Sequence, residues 1–367
     1  MADARPHAPN VVLFGYDSSP FTQKVRHALR IKQITYTFII VPSMMPRPIL
    51  KQNFNISYRK IPVLAINKEI YIDTSLILEA LEAQFPESGG YGTIYPNPSL
   101  RPLIRGFGSY WTDRPFFRVT TGLIPGSVWR TSFGQDRSNL IGHTLNAEKL
   151  AEKVPENLSG LDLHLSILEP LLQEGKKWLF HTEKPSAADI TFFYQLEWAE
   201  KIARGDGVQD LTGGGVKDGE GEGIRSVFNP NRYPCLSSWF QRLKDHLDSM
   251  PLTEKRIERN DDANIQQVLG ELSLVSLRDK IPLIPTPAVA HNELDTRNGL
   301  SLGAQVSIAP DDTGRGSPTI GTLIALTAEE VVISPQEIDG KAPVVGSVRL
   351  HFPRIGFVAR PTAKSML

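Results

Sequence analysis

Between residues 11 and 86, short apolar runs alternate with segments of helical spacing. Val11–Gly15 (VVLFG) is an unbroken apolar run and reads as a buried strand. Pro20 opens a helical stretch, since its fixed φ suits a first turn that needs no amide donor. Val25, Ala28, Leu29 and Lys32 follow at three- and four-residue spacing. Thr35–Val41 (TYTFIIV) is rich in β-branched and aromatic residues. Residues 44–52 (MMPRPILKQ) read as irregular or briefly helical. PVLAI and EIYI are two further β-runs, joined at Asn67-Lys68, a pair suited to a hairpin turn. Asp73 or Thr74 then caps a helix through LILEALEAQF, which Pro86 ends. The predicted order is β-α-β-α-β-β-α.

Pro86–Ser99 is a turn-rich linker, and from about residue 100 to 262 the apolar period is that of helices, as in Leu161, Leu165 and Leu168. Ser186-Ala187-Ala188-Asp189 forms a capping box for one of them. Gly205–Gly223 concentrates glycine and acidic residues and reads as a mobile loop between helices. After a second, proline-rich linker (Ile281–Asp295) the period falls to two. Val348, Leu350 and Phe352 alternate with Arg349 and His351, as on a sheet with one wet face, which puts His351 on a sheet surface. The pattern therefore predicts an α/β domain at 11–88, an all-helical domain at 98–265 with a mobile 205–223 loop, and a small all-β module at 296–364.

Composition narrows the function classes. The 367 residues carry 40 Lys+Arg and 40 Asp+Glu. A net charge of zero gives no support for nucleic acid or an acidic membrane surface as partner. No run of about eighteen apolar residues occurs, so no membrane span is expected, and the polar start MADARPHAPN lacks the apolar core of a signal peptide. The single cysteine, Cys235, excludes an internal disulfide and fits a reducing compartment. A soluble, cytoplasmic protein is expected. Cys235 itself reads as a small buried hydrophobe rather than a nucleophile. The histidines lack metal-ligand spacing, so no metal is expected.

Three segments of the first domain carry candidate chemistry. Ser18-Ser19-Pro20-Phe21-Thr22 lies where the first strand meets the first helix. Free N–H groups and positive partial charge there favour a thiolate, and a hydroxyl can donate a hydrogen bond to it. In Arg59-Lys60-Ile61-Pro62-Val63-Leu64 a proline stands directly before a buried β-run. A cis Ile61–Pro62 bond would turn the Ile61 main chain outward as a template for a peptide. Ile72-Asp73-Thr74-Ser75 opens the third helix, where a hydroxyl and an acid could read the two charges of an amino-acid end. Taken singly, these segments read first as an ordinary helix cap, a trans proline at a strand start and a plain N-cap.

Their order and spacing resemble the glutathione transferase superfamily. SSPFTQKVRHAL is similar to the family's SPFxxKVRxAL, RKIPVLAI to its cis-proline segment, and IDTSLILEALEAQFP to its ESxxIxxYLExxFP helix. In the second domain PSAADITFF and YPCLSSWFQRL are similar to PSxADI and YPxLxxWxxRL. The resemblance covers roughly residues 11–250. It implies a thioredoxin-like N-terminal domain that binds glutathione, a helical transferase domain, and a homodimer. Ser19 falls at the position that meets the glutathione sulfur, with Tyr16 and Ser18 as further candidates. Ile61, before Pro62, would pair with the cysteinyl main chain, Lys60 would hold the glycyl carboxylate, and Asp73 and Thr74 the γ-glutamyl end. Asp-Thr replaces the family's Glu-Ser, and no cysteine stands at Ser19, which disfavours disulfide exchange through a protein thiol. Tyr110, Trp111, Phe116 and Phe117 are the expected aromatic wall for a small apolar electrophile. The implied function is activation of the glutathione thiolate for addition to that electrophile, by conjugation or by reversible addition that isomerises it. The alternative is a non-catalytic binding protein that uses the β-module to dock a partner.

Overall fold

The computed structural model describes residues 9–216 and 223–362. The first domain follows the predicted order: β1 Val11–Gly15, α1 Pro20–Ile31, β2 Tyr36–Ile40, α2 Pro48–Phe54, β3 Val63–Ile66, β4 Glu69–Ile72 and α3 Thr74–Gln84. β1 pairs parallel with β2 and antiparallel with β3, and β3 pairs antiparallel with β4. All four strands are buried almost throughout, because helices cover the sheet. Asn67 turns the hairpin in a left-handed conformation, φ 56°.

The helical part begins with α4, Arg101–Gly106, which runs into a ten-residue π-helical stretch, Phe107–Phe116, and then α5, Phe117–Thr121. Short helices α6 (Gly126–Trp129), α7 (Ser132–Ile141) and α8 (Ala147–Glu152) lead to α9 (Val154–Leu168). The buried α10, Ala187–Ala203, opens on the predicted capping box, whose Asp189 also accepts from the Leu179 N–H and from Trp239 Nε1, each at 2.8 Å. α11 (Val208–Leu211) and α12 (Pro234–Ser249) follow. Packing of α10 on α1 joins the two domains, with Phe193 against His27 and Glu197 3.2 Å from its ring. No helix is long and apolar enough to cross a membrane among the described residues.

Two expectations change here. The helical region does not continue unbroken to 265. Glu254–Ile257 forms a strand, β5, parallel to β2, before α13 resumes at Asp262–Leu274. Its sequence, EKRI, lacks apolar alternation because it is an edge strand stabilised by charge. Glu254 takes Arg26 and the Tyr36 hydroxyl, and Arg256 takes Asp17. The second change concerns the 205–223 loop. Residues 205–216 are folded, with α11 inside them, while 217–222 lie outside the described residues.

The C-terminal strands, which follow α14 (Asn292–Arg297), are β6 Gln305–Pro310, β7 Thr319–Leu326, β8 Glu330–Pro335, β9 Arg349–Pro353 and β10 Phe357–Pro361. They are not a free-standing sheet. β9 pairs parallel with β4, aligning Tyr71 with His351, so that the strands form one sheet in the order β10-β6-β7-β8-β9-β4-β3-β1-β2-β5. His351 is not on a wet surface but fully buried at this seam. Its Nδ1 lies 2.6 Å from Glu330 and its Nε2 2.8 Å from Glu69, and Tyr71 stacks on the ring at 4.4 Å. Arg349 adds a second cation on Glu69, and the Ile284 N–H donates to the other oxygen of Glu330.

Burial alone would lower the His351 pKa, but Glu330 and Glu69 outweigh it and hold it above the ordinary 6.5. The protonated ring is thus favoured by folding. Its stabilisation is complete below pH 6.5 and is lost as pH rises through the folded value. His351→Asn should cost about 3–5 kcal/mol, because two buried carboxylates lose their shared cation. It should also flatten the alkaline limb of melting temperature against pH. Calorimetric melts of both proteins across that range check this. Equal slopes would show that the seam does not depend on the imidazolium.

Candidate functional site

Strand register gathers the three predicted segments at one end of the sheet. Phe14 pairs with Val63 and Val63 with Ile72. The β1–α1 turn, the Ile61–Pro62 bond and Asp73 therefore emerge side by side, each one or a few residues beyond this row. Gly15 lets α1 approach closely, since a Cβ there would lie 2.5 Å from Thr22 Oγ1.

Ser19 is the N-cap of α1, with its Oγ accepting the Thr22 N–H at 3.2 Å. That bond occupies a lone pair and leaves the hydroxyl proton to donate. The residue is only 2% exposed. Ser18 is buried too. Its N–H donates to Asp210 Oδ2 at 2.8 Å and its C=O accepts from Trp198 Nε1 at 2.8 Å, while its hydroxyl has no partner among the described residues. Gly207, at φ +78°, lets the folded insertion lie against Ser18. The Tyr16 hydroxyl accepts from Arg137 of α7 at 3.3 Å.

The Ile61–Pro62 bond is cis. Among the described residues no group of the chain hydrogen-bonds the Ile61 N–H or C=O. Arg59 pairs with Asp136 at 2.9 Å, and Lys60 with Asp312 of the C-terminal module at 2.6 Å. Asp73 sits at φ 74°, ψ 138°, a conformation rare outside glycine that costs about 1–3 kcal/mol and concentrates at functional sites. Its carboxylate accepts from the Ser75 N–H and hydroxyl. Thr74 is turned inward, and its hydroxyl accepts from Lys24 Nζ at 3.0 Å. Lys24, buried, also pairs with Asp113 at 2.6 Å, and Asp113 accepts from Tyr194 at 2.9 Å. Burial pushes the Asp113 carboxyl up against the opposing pull of Lys24. This network ties α3, α1, the π-helical stretch and α10 together. The sequence signal for Lys24 is its place four residues from both Pro20 and Ala28, which puts it on the buried face of α1.

The expected aromatic wall is not one surface. Trp111 donates to His164 Nδ1 at 2.7 Å and packs on Phe107, and Phe116 is buried against Phe192, so both belong to the helical core. Phe117 stacks on Phe21 of α1, with centroids 4.7 Å apart, at the domain junction. Tyr110 is 61% exposed and lines a cleft toward the C-terminal module. The π-helical winding explains the divergence, since it rotates successive side chains away from the spacing of an α-helix. Cys235 is half-buried rather than buried. Burial and then Glu169 push its thiol pKa up, which leaves it a poor nucleophile.

The module reaches this site through two turns. Asp311 lies 3.3 Å from Arg114, its N–H donates to Gly356, and the Gly314 N–H donates to Leu140 of α7. Phe357 packs on Tyr58, just before the cis-proline segment.

Residues 13–89 match the family of glutathione S-transferase N-terminal domains, and residues 122–210 match a domain of unknown function, DUF7962. Glutathione S-transferase U3 of Arabidopsis thaliana is 33% identical over 272 residues, covering 72% of this chain and 97% of its own length. A probable glutathione S-transferase of Solanum tuberosum is 30% identical over 152 residues, which is 41% of this chain. The chain spans 60% of that relative's length, and less of several others. A GST-like protein from Pseudomonas syringae, 22% identical, covers 97% of this chain and 100% of its own with a TM-score of 0.57, a likeness of fold that includes the C-terminal strands. With the three candidate segments in order and a relative matched over nearly its whole length, the chain belongs to the glutathione S-transferase family.

Proposed function

We propose that the protein is a glutathione-dependent enzyme whose site lies at the sheet end shared by Ser19, Ile61 and Asp73. The register Phe14–Val63–Ile72 carries this reading, because it brings the three segments to one place. Two features of the site fit the tripeptide. Among the described residues, both polar groups of the Ile61 main chain are unpaired and the buried Ser18 hydroxyl lacks a partner. Bound glutathione supplies a thiol that reacts as the thiolate. Ser19 donates a hydrogen bond to that sulfur and so favours the ionised form, Ile61 pairs with the cysteinyl main chain, and Asp73 holds the γ-glutamyl end. Phe117, at the domain junction, offers an apolar face to an electrophile. Conjugation and reversible addition both proceed from this arrangement.

A second reading, a binding protein without chemistry, has specific support. The chain's own carboxylates already engage groups that the ligand would use: Asp312 holds Lys60, and Asp210 holds the Ser18 N–H.

Calorimetry and thiolate ultraviolet absorbance separate the two. Ser19→Ala should leave glutathione affinity within about twofold while raising the bound thiol pKa by about one to two units, the worth of one charge-assisted hydrogen bond. An unchanged thiolate signal would remove Ser19 from the mechanism, and a wild-type protein with no ionised thiol would favour the binding protein. Asp312→Asn should tighten glutathione about two- to fivefold, since a half-exposed pair is worth little more, with the gain shrinking as salt is added. Equal affinities would exclude Lys60 as a contact.

A further inference from the structure

β6 and β7 are antiparallel neighbours, which a hairpin loop of about two to five residues can join. The chain uses 311–318, eight residues between Pro310 and Thr319. This connection reaches out to three other elements. Asp311 lies 3.3 Å from Arg114 of the π-helical stretch, Asp312 lies 2.6 Å from Lys60, and the Gly314 N–H donates to the Leu140 carbonyl of α7 at 2.8 Å. Each anchor neighbours a group of the proposed site. Lys60 precedes Ile61, and Arg114 stands three residues before Phe117. Arg137, three residues before Leu140, donates to the Tyr16 hydroxyl. The segment's sequence, DDTGRGSP, holds no large apolar side chain. The side chains of its two ion pairs are between 26% and 48% exposed, so water can replace these contacts at little cost.

We propose that this segment is a strap across the mouth of the site, closed here, which must open to admit and release a ligand. The inference rests on the site named above, at the sheet end that holds Ser19. Lys60 belongs to the first domain and Arg114 to the helical one, so the strap bridges the junction where Phe117 stacks on Phe21. Its ends are fixed by the sheet. Pro310 pairs with Phe357 of β10, and Thr319 pairs with Ile308 of β6. Motion is therefore confined to the turn between them, which contains Gly314 and Gly316. The latch is charge together with one backbone hydrogen bond, and opening it releases Lys60 and Arg114 at once.

Alkylation of Ser19→Cys by iodoacetamide, a neutral reagent, measures opening without a ligand. Peptide mass spectrometry separates the new thiol from Cys235, and rates are compared on the plateau of the pH profile, where the thiol is fully ionised. Adding Asp311→Asn and Asp312→Asn should speed labelling about three- to tenfold, the combined effect of two exposed ion pairs. Rising salt should speed labelling of the Ser19→Cys protein and leave the triple variant unchanged. Gly314→Pro, added to Ser19→Cys, removes the donor to Leu140 and cannot hold φ +83°, so it too should speed labelling, with the fold checked by circular dichroism. Equal labelling rates in all these proteins at every salt concentration would overturn the strap. In stopped-flow binding of glutathione, Asp311→Asn alone should raise the association and dissociation rates together. A wild type that binds no glutathione, while labelling still answers to the strap variants, would overturn the glutathione reading and uphold the strap.

Discussion

The parallel pairing of β4 with β9 is the contact on which the rest of this molecule depends. β4 would otherwise be an edge strand of the first domain, with a row of unpaired backbone groups. β9 satisfies them, and the buried Glu69–His351–Glu330 triad fixes the pairing by charge as well as by the ladder. A register slip of one residue would carry His351 to the other face of the sheet and leave both carboxylates buried without a cation. One alignment therefore prevails.

That alignment determines where the module's turns fall. β9 runs parallel to β4, so its C-terminal end, with Pro353 and Arg354, lies at the same sheet end as Asp73. Asp311, Asp312 and Glu329 are carried there with it, against Arg114, Lys60 and Arg105. Folding of the insertion at 205–216 closes the opposite side, where Asp210 meets the Ser18 N–H. The proposed ligand site is thus framed by the first domain, the helical domain, the module and the insertion, and the last three supply carboxylates to cationic or donor groups there. Any anionic ligand must exchange with them. Affinity then follows from the difference between the new and the existing ion pairs rather than from either alone.

The helical domain contributes rigidity to the same place. Lys24, Thr74, Asp113 and Tyr194 form a buried polar chain across the domain boundary. Every member is partnered, and removing any one would leave a buried charge or hydroxyl exposed to an apolar surrounding. The network thus links the start of α3 to the π-helical stretch across the domain boundary.

The sequence by itself determined the β-α-β-α-β-β-α order and the capping box at Ser186, and it marked the three candidate segments, while the structure decided that the Ile61–Pro62 bond is cis. The order, the box and the segments are each set by residues within a few positions of one another, through period, proline or a local hydrogen bond. It did not disclose β5, whose polar sequence takes its strand form from partners in α1 and β2 more than two hundred residues away. Nor could it place His351, because an Arg-Leu-His-Phe alternation reads as a half-wet strand until the neighbour that buries its polar face is known. The split of Tyr110, Trp111 and Phe117 onto three surfaces follows from π-helical winding, which has no period signature in the sequence. What only the tertiary structure decided is therefore which charges meet. Ion pairs between distant segments obey distance in space, and the register of β9 on β4 set that distance.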